Sequence, residues 1–167
     1  MSRITLTQSK LKPTEFIAAC GGDADRLTIT PDQFTRLSEL STQYQDIIKK
    51  KVQRSMDDQL LPVGRGLFVW LKGLGGTWWQ PLTLVGGAEL VWRFQQFEDP
   101  ESQKITHGVM DAPWEILAQE TQGDAGFFLK RKNTQFAVIR YWPGAGKFRA
   151  PSDYRLNLLF MAAAPLG

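Results

Sequence analysis

The sequence has little of what builds disulfides, metal sites or histidine-dependent active sites. One cysteine, Cys20, and one histidine, His107, stand among 167 residues. A single thiol cannot staple a fold, so a reducing compartment is expected. A single histidine leaves no second imidazole for a metal-ligand set and no Ser-His-Asp arrangement that the sequence supports.

Long apolar runs are also missing from the sequence. No stretch approaches the roughly 20 apolar residues that a membrane span needs. The opening MSRITLTQSK has no apolar segment of the secretory type, so no signal peptide is expected. We therefore expect a cytoplasmic protein with no membrane partner, and no motif in it calls for a metal or another cofactor.

What is present is a globular composition that is rich in large rings. The apolar fraction is 43% and the charged fraction is 22%, which is typical of a chain that buries a core. Six tryptophans and ten phenylalanines favour a core or an interface built from aromatic side chains. The net charge of +3 is only mildly basic, so nucleic acid is not the expected partner.

The first part of the sequence predicts two strands and an intervening turn. Residues 3–7 alternate apolar and polar side chains, which indicates a strand. Residues 26–30 predict a second strand that pairs with the first. The segment EFIAAC between them is interpreted as a helical turn.

Two helices are predicted next. The first begins at Pro31, with Thr30 as N-cap and Gln33 completing a capping box, and its apolar stripe reaches about Arg54. The second covers residues 60–73 and is strongly apolar. It contains two glycines that lower helix propensity and that we interpret as points of close packing, Gly64 and Gly66.

The second half of the sequence predicts mainly strands. Residues 88–97 alternate in the way of a strand, residues 98–108 form a polar loop, and residues 112–119 form a short helix that starts at a proline. Residues 126–132 and 136–142 predict two strands joined by a tight turn. The fold class is therefore α+β, with N-terminal helices followed by a mainly antiparallel sheet.

The closing stretch LNLLFMAAAPLG, residues 156–167, reads as a short strand buried on both faces. A linker rich in proline and glycine, residues 143–155, precedes it. The predicted organisation is an N-terminal extension over 1–59, a unit over 60–142, that linker, and one strand that looks like the beginning of a further α/β sheet.

Three motifs are better explained by structure than by chemistry. Cys20 could be a nucleophile with His107 as its base, but the apolar FIAAC context favours packing, and His107 is interpreted as an ordinary loop histidine. GAGKF at 144–148 misses two positions of a phosphate-binding loop. The basic clusters at 49–54 and 130–132 are interpreted as solvated surface.

Trp114 and Glu115 in APWEIL form the remaining candidate. A carboxylate beside a large ring is one way to raise a pKa, but a lone carboxylate makes a poor acid/base pair. We expect Trp114 to anchor the short helix in the core. We expect Glu115 to cap that helix or to pair with a buried arginine.

Four stretches, taken in order, resemble the CHAT-domain cysteine peptidases, a caspase-like family associated with HetF. The matching stretches are PVGRGLFVWLKG (62–73), DAPWEIL (111–117), GDAGFFLKRKNTQFAVIRYW (123–142) and YRLNLLFMAAAP (154–165). The residues that carry the resemblance as structural motif positions are Gly64, Arg65, Trp70, Leu71, Pro113, Trp114 and Glu115. The resemblance covers about residues 60–167, and Ala112 replaces the leucine usual in the second stretch.

The resemblance implies a caspase-like α/β fold whose Cys–His dyad cleaves peptide bonds. In the family, the catalytic histidine and cysteine lie in segments that follow the last matched strand, and neither segment occurs here. No catalytic residue is therefore assigned. The implied function is that of an N-terminal regulatory or scaffolding portion, inactive alone, of a peptidase that cleaves a partner protein in bacterial defence or signalling. The alternative is a complete, non-enzymatic protein–protein interaction module.

Overall fold

A computed structural model describes residues 2–50, 56–84, 87–119, 126–130 and 135–143, which form an α+β fold. The five strands are β1 (Ser2–Gln8), β2 (Glu15–Cys20), β3 (Asp23–Thr28), β4 (Ala88–Arg93) and β5 (Phe136–Tyr141). The three α-helices are α1 (Pro31–Lys49), α2 (Met56–Gly73) and α3 (Pro100–Met110). Short 3₁₀ turns cover Gln80–Thr83, Trp114–Ile116 and Phe128–Lys130.

The described strands form one sheet in the order β3-β2-β1-β4-β5. β2 runs antiparallel to both β1 and β3, whereas β4 runs parallel to both β1 and β5. The sheet is therefore mixed, and the expected mainly antiparallel arrangement is wrong. The physical reason is the length of the connections, because helices lie between β1 and β4 and between β4 and β5, and such crossovers join parallel strands.

The expectation that helices come first is also wrong, because three strands precede α1. The segment EFIAAC is strand β2 rather than a helical turn. Phe16 and Ala18 are buried while Ile17 and Ala19 are exposed, and this alternation is the period of a strand. β2 also separates the two strands that were expected to pair, so that β3 pairs with β2 and not with β1.

The polar segment predicted as a loop over 98–108 is mostly helix α3. Asp99 caps this helix by accepting a hydrogen bond from the Ser102 backbone N–H at 2.8 Å, and Pro100 occupies the first helical position. Only Thr106 and Val109 of the helix are buried. The apolar stripe is thus too narrow to be recognised by its periodicity.

The strand predicted over 126–132 is wrong for the residues that are described. Phe127 makes one isolated antiparallel bridge with Ala118, and a 3₁₀ turn follows at Phe128–Lys130. The second predicted strand exists as β5, but it pairs in parallel with β4. The turn expected at residues 133–134 lies outside the described residues.

Both long helices are confirmed. The Thr30 hydroxyl accepts from the Gln33 backbone N–H at 3.2 Å, and the Gln33 side chain accepts from the Thr30 N–H at 2.8 Å, which completes the capping box. The Gln33 amide also donates to the Gly73 carbonyl at 2.9 Å. One residue thus fixes the start of α1 and ties it to the end of α2.

The sheet has one core face and one outer face. Inward side chains of the strands, such as Leu6, Phe16 and Trp92, join a single cluster with Leu37 of α1 and Leu67 of α2. The described helices therefore pack on one side of the sheet. Residues 143–155, apart from Pro143, and the predicted final strand over 156–167 lie outside the described residues.

Candidate functional site

The glycine Gly64 on α2 lies directly against the turn that follows α3. A Cβ at this position would overlap the carbonyl oxygen of Ile116 and crowd the Ala118 side chain. The Gly64 carbonyl also accepts a hydrogen bond from the Ala118 N–H at 3.2 Å. Only a residue without a side chain permits this backbone approach, so the expected close packing is confirmed.

Three tryptophan rings continue this contact into the core. The ring of Trp114 stacks on Trp92 of β4 with centroids 4.9 Å apart and lies 5.6 Å from the ring of Trp70 on α2. The Trp114 indole N–H donates to the Val109 carbonyl at 2.8 Å, and the Trp70 indole N–H donates to the Gln33 carbonyl at 2.7 Å. Trp114 is fully buried, as predicted for an anchor of the short helix.

Arg140 of β5 contacts the same turn from the side of the sheet. Its guanidinium pairs with both carboxylate oxygens of Glu115, at 3.0 Å for Nη2–Oε2. It also donates to the carbonyls of Met110 at 2.7 Å and Ala112 at 2.9 Å. The predicted pairing of Glu115 with an arginine is therefore confirmed, although Arg140 is half-buried rather than buried.

The ion pair determines the charge state of Glu115. Burial raises the pKa of this carboxyl, but the hydrogen bond from Arg140, a backbone hydrogen bond and the charge of Arg140 together lower it by more, so the pKa lies below its ordinary value. Glu115 is thus a carboxylate at neutral pH and is held by its partner. This arrangement joins elements and leaves no free acid/base group.

The remaining motif positions occupy the same region in less specific ways. Leu71 is fully buried in the core, and Pro113 is buried at the start of the 3₁₀ turn. Arg65 is half-buried on α2, and its Nε has no hydrogen-bond partner in the part of the chain that is described. We call the set formed by Gly64, Trp70, Trp114, Glu115 and Arg140 the joint, because it connects α2, the turn after α3, and β5.

The structure does not bring Cys20 and His107 together. Ala19, next to Cys20, pairs with Thr5 of β1, whereas Thr106, next to His107, accepts a hydrogen bond from Gln8 at the far end of β1. Those two positions on β1 are three residues apart, about 10 Å along a strand. His107 lies on α3, not in a loop, and its ring packs 5.4 Å from the ring of Trp142.

Cys20 borders a shallow groove of about 200 Å³. The groove is lined by Cys20, Asp23, Asp25, Thr77, Trp78, Gln80, Pro81 and Leu84. Burial and the charge of Asp23 both raise the pKa of the Cys20 thiol. A thiol with a raised pKa stays protonated at neutral pH, which is the opposite of what a nucleophile needs.

Metal binding finds no support in the described part of the chain. No group of three or more His, Cys, Asp or Glu side chains there is placed to hold an ion. Within the same residues, no helix is both long and apolar enough to cross a membrane.

The basic clusters are described only in part. Lys49 and Lys50 are exposed at the end of α1, and Lys130 forms an ion pair with Asp57 of α2. The other residues of those clusters, and the GAGKF segment at 144–148, lie outside the described residues.

The outer face of the sheet carries a row of side chains that crosses all five strands. Register places them side by side in the order Arg26, Ile17, Thr7, Arg93 and Tyr141, one from each strand, and we call this set the outer row. Within this row, Ile17 is 47% exposed and Tyr141 is 53% exposed.

Sequence reasoning missed the outer row and Arg140. The outer row depends on which strands are neighbours, and β2 was not recognised as a strand. Arg140 could have been found from its place in the predicted strand FAVIRYW, where a lone arginine among apolar residues signals a buried partner.

The comparisons with family models, with curated proteins and with solved structures find no match for this chain.

Proposed function

We propose that this chain is the N-terminal regulatory or scaffolding portion of a CHAT-type, caspase-like cysteine peptidase, and that it is inactive by itself. The parent would cleave a partner protein in a bacterial defence or signalling response in the cytoplasm. Its catalytic histidine and cysteine would be supplied by segments that this sequence lacks.

The observation that carries the proposal is the joint. All five residues of the joint lie in three of the four stretches that resemble the family, namely 62–73, 111–117 and 123–142. Gly64 meets the turn after α3, Trp70 meets Trp114, and Glu115 meets Arg140. Stretches that build a common scaffold are expected to meet in space although they are separate in sequence. The fourth stretch lies outside the described residues.

The positions of the two candidate groups support the proposed inactivity. The neighbours of Cys20 and His107 contact β1 at Thr5 and Gln8, about 10 Å apart along the strand, and burial and Asp23 raise the pKa of the Cys20 thiol. A Cys–His dyad needs the two side chains within hydrogen-bond reach.

The test of inactivity is to incubate the full chain with a broad set of thiol-protease substrates. Cys20→Ala and His107→Ala variants serve as matched controls. We expect no cleavage above the level of either variant. Cleavage by the wild-type chain that Cys20→Ala abolishes would contradict the proposal.

A second candidate function is a non-enzymatic protein–protein interaction module. The exposure of Ile17 and Tyr141 on the outer face favours it, because exposed apolar side chains in one row mark interaction surfaces. This candidate needs no catalytic segments elsewhere. Finding those segments would therefore favour the peptidase portion over the module.

A further inference from the structure

We infer that the outer face of the sheet binds an acidic amphipathic helix of a partner protein, which lies across the strands along the outer row. The inference goes beyond the proposed function and does not depend on it. It rests on the register of the five strands and on the charges that the outer face leaves unpaired.

The charges of the outer face divide into paired and unpaired groups. Arg3 pairs with Glu89 at 2.6 Å, and Lys12 pairs with Glu15 at 2.8 Å. Arg26 and Arg93, both in the outer row and both exposed, form no ion pair among the described residues. Arg93 lies against the Tyr141 ring and Arg26 is near enough to the Glu15 carboxylate to lower its pKa, but neither guanidinium has an ion-pair partner in the described part of the chain. Carboxylates on a partner complement them.

The spacing of these two arginines fits a helix. They are three strand intervals apart in the row, which is about 14 Å at roughly 4.8 Å for each interval. Carboxylates about eleven residues apart lie on the same face of a helix, because it has about 3.6 residues per turn, and they are separated by about 16.5 Å at a rise of about 1.5 Å per residue. One helix laid across the strands therefore reaches both arginines.

The side chains between and beside the arginines supply the apolar part of the surface. Ile17 and Thr7 lie between them, and Tyr141 lies beyond Arg93. The Arg93 guanidinium sits 5.2 Å from the centre of the Tyr141 ring, which restrains both side chains before binding. In the second row, beside the first, Ala24 and Ala19 are exposed and Thr5 and Ile139 are half-exposed, whereas Val91 is buried and offers no surface to a partner.

These features favour a protein over a single-stranded nucleic acid. Nucleic-acid platforms stack several bases on aromatic rings, and the strand residues of this face include one aromatic ring, Tyr141, which already holds Arg93. An acidic amphipathic helix can pack apolar side chains against the apolar residues of the outer row and can pair its carboxylates with the two arginines.

The test uses a labelled helical peptide that has an apolar stripe and two glutamates about eleven residues apart on one face. Its matched control carries two lysines in place of those glutamates. Fluorescence anisotropy with the full chain at low salt measures both affinities. We expect the acidic peptide to bind and the lysine peptide to bind at least about tenfold more weakly. Equal binding of the two peptides, or no binding of the acidic one, would overturn the inference.

The surface is located with charge-reversal variants. The double variant Arg26→Glu/Arg93→Glu should weaken binding of the acidic peptide by about tenfold or more. Lys104→Glu, an exposed change on α3, reverses one charge away from the sheet and should leave affinity unchanged. An equal loss in the Lys104→Glu variant would indicate non-specific charge attraction and overturn the inference.

Two further measurements complete the experiment. If the double variant fails to fold by circular dichroism, Arg26→Gln/Arg93→Gln is measured instead and should weaken binding in the same direction. A labelled polyuridine strand is titrated in parallel. If polyuridine binds more tightly than the acidic peptide and is lost in the same variants, the partner is nucleic acid and the inference is wrong. None of these results depends on peptidase activity, so the proposed function can fail while this inference survives.

Discussion

At the scale of single residues, Gly64 is a position where one added methyl group should lower the free energy of unfolding. The added Cβ of Gly64→Ala would meet a backbone carbonyl, which cannot rotate away as a flexible side chain can. We expect the free energy of unfolding to fall by roughly 1–3 kcal/mol, as for other overpacked sites. Urea denaturation measures this change.

Gly73→Ala is the matched control for this prediction. It is also a glycine of α2, and a Cβ there meets nothing within 4 Å. We expect its stability to stay within about 0.5 kcal/mol of the wild type. If both variants are equally stable, the joint at Gly64 is looser than its geometry requires.

Several residue-level features were predictable because they follow from local chemistry. The Thr30–Gln33 capping box, the close packing at Gly64, and the burial of Trp114 need only the nearby sequence and the size of the side chain. The arginine that pairs with Glu115 could be expected but not identified. Twenty-five residues separate Glu115 from Arg140, and the pair forms only because β5 lies beside β4.

At the scale of elements, the Arg140–Glu115 ion pair ties β5 to the turn after α3. Because the pKa of Glu115 is lowered in the folded protein, the unfolded chain binds its proton more readily. The pair therefore stabilises the fold fully above the unfolded pKa of about 4.3, and this stabilisation is lost as pH falls through the folded pKa.

Glu115→Gln tests this contribution. At neutral pH we expect the free energy of unfolding to fall by about 1 kcal/mol, a modest value because the carboxylate is half exposed. The variant should also lose part of the rise in stability that the wild type shows as pH rises from below the folded pKa of Glu115 to above the unfolded pKa of about 4.3. Denaturant titrations at neutral and acidic pH measure both effects.

Glu39→Gln is the control for the ion-pair prediction. It removes a pair with Arg36 on α1 in which both side chains are more than half exposed. Its cost at neutral pH should be smaller than that of Glu115→Gln. Identical stability and identical pH dependence in Glu115→Gln and the wild type would contradict the role given to Arg140.

Elements were predictable where their apolar pattern was strong and missed where it was weak. α2 has six buried residues, and its sequence predicts a helix despite Pro62, Gly64 and Gly66. α3 buries only Thr106 and Val109, and its sequence predicts a loop. β2 was missed because EFIAAC is short and contains two helix-favouring alanines. Its position between β1 and β3 overrides that local preference.

At the scale of the whole molecule, the sequence pattern determined which faces of the strands are apolar but not which strands are neighbours. The alternation of apolar and polar side chains in β4 and β5 is compatible with a hairpin or with a parallel pair. The two strands are parallel because α3 lies between them as a crossover connection. The outer row exists only because β2 and β5 take these places. No local pattern could therefore have revealed it.

The central claim is the proposal that this chain is the N-terminal portion of a CHAT-type peptidase whose catalytic segments lie elsewhere. The most direct measurement is to sequence the coding DNA that continues past the codon for Gly167, together with the neighbouring reading frames. We predict a histidine in a Ser-Gly-His-Gly-like segment, followed by a cysteine in an Ala-Cys-like segment. The lack of both segments in the continuing frame and in its neighbours would contradict the claim.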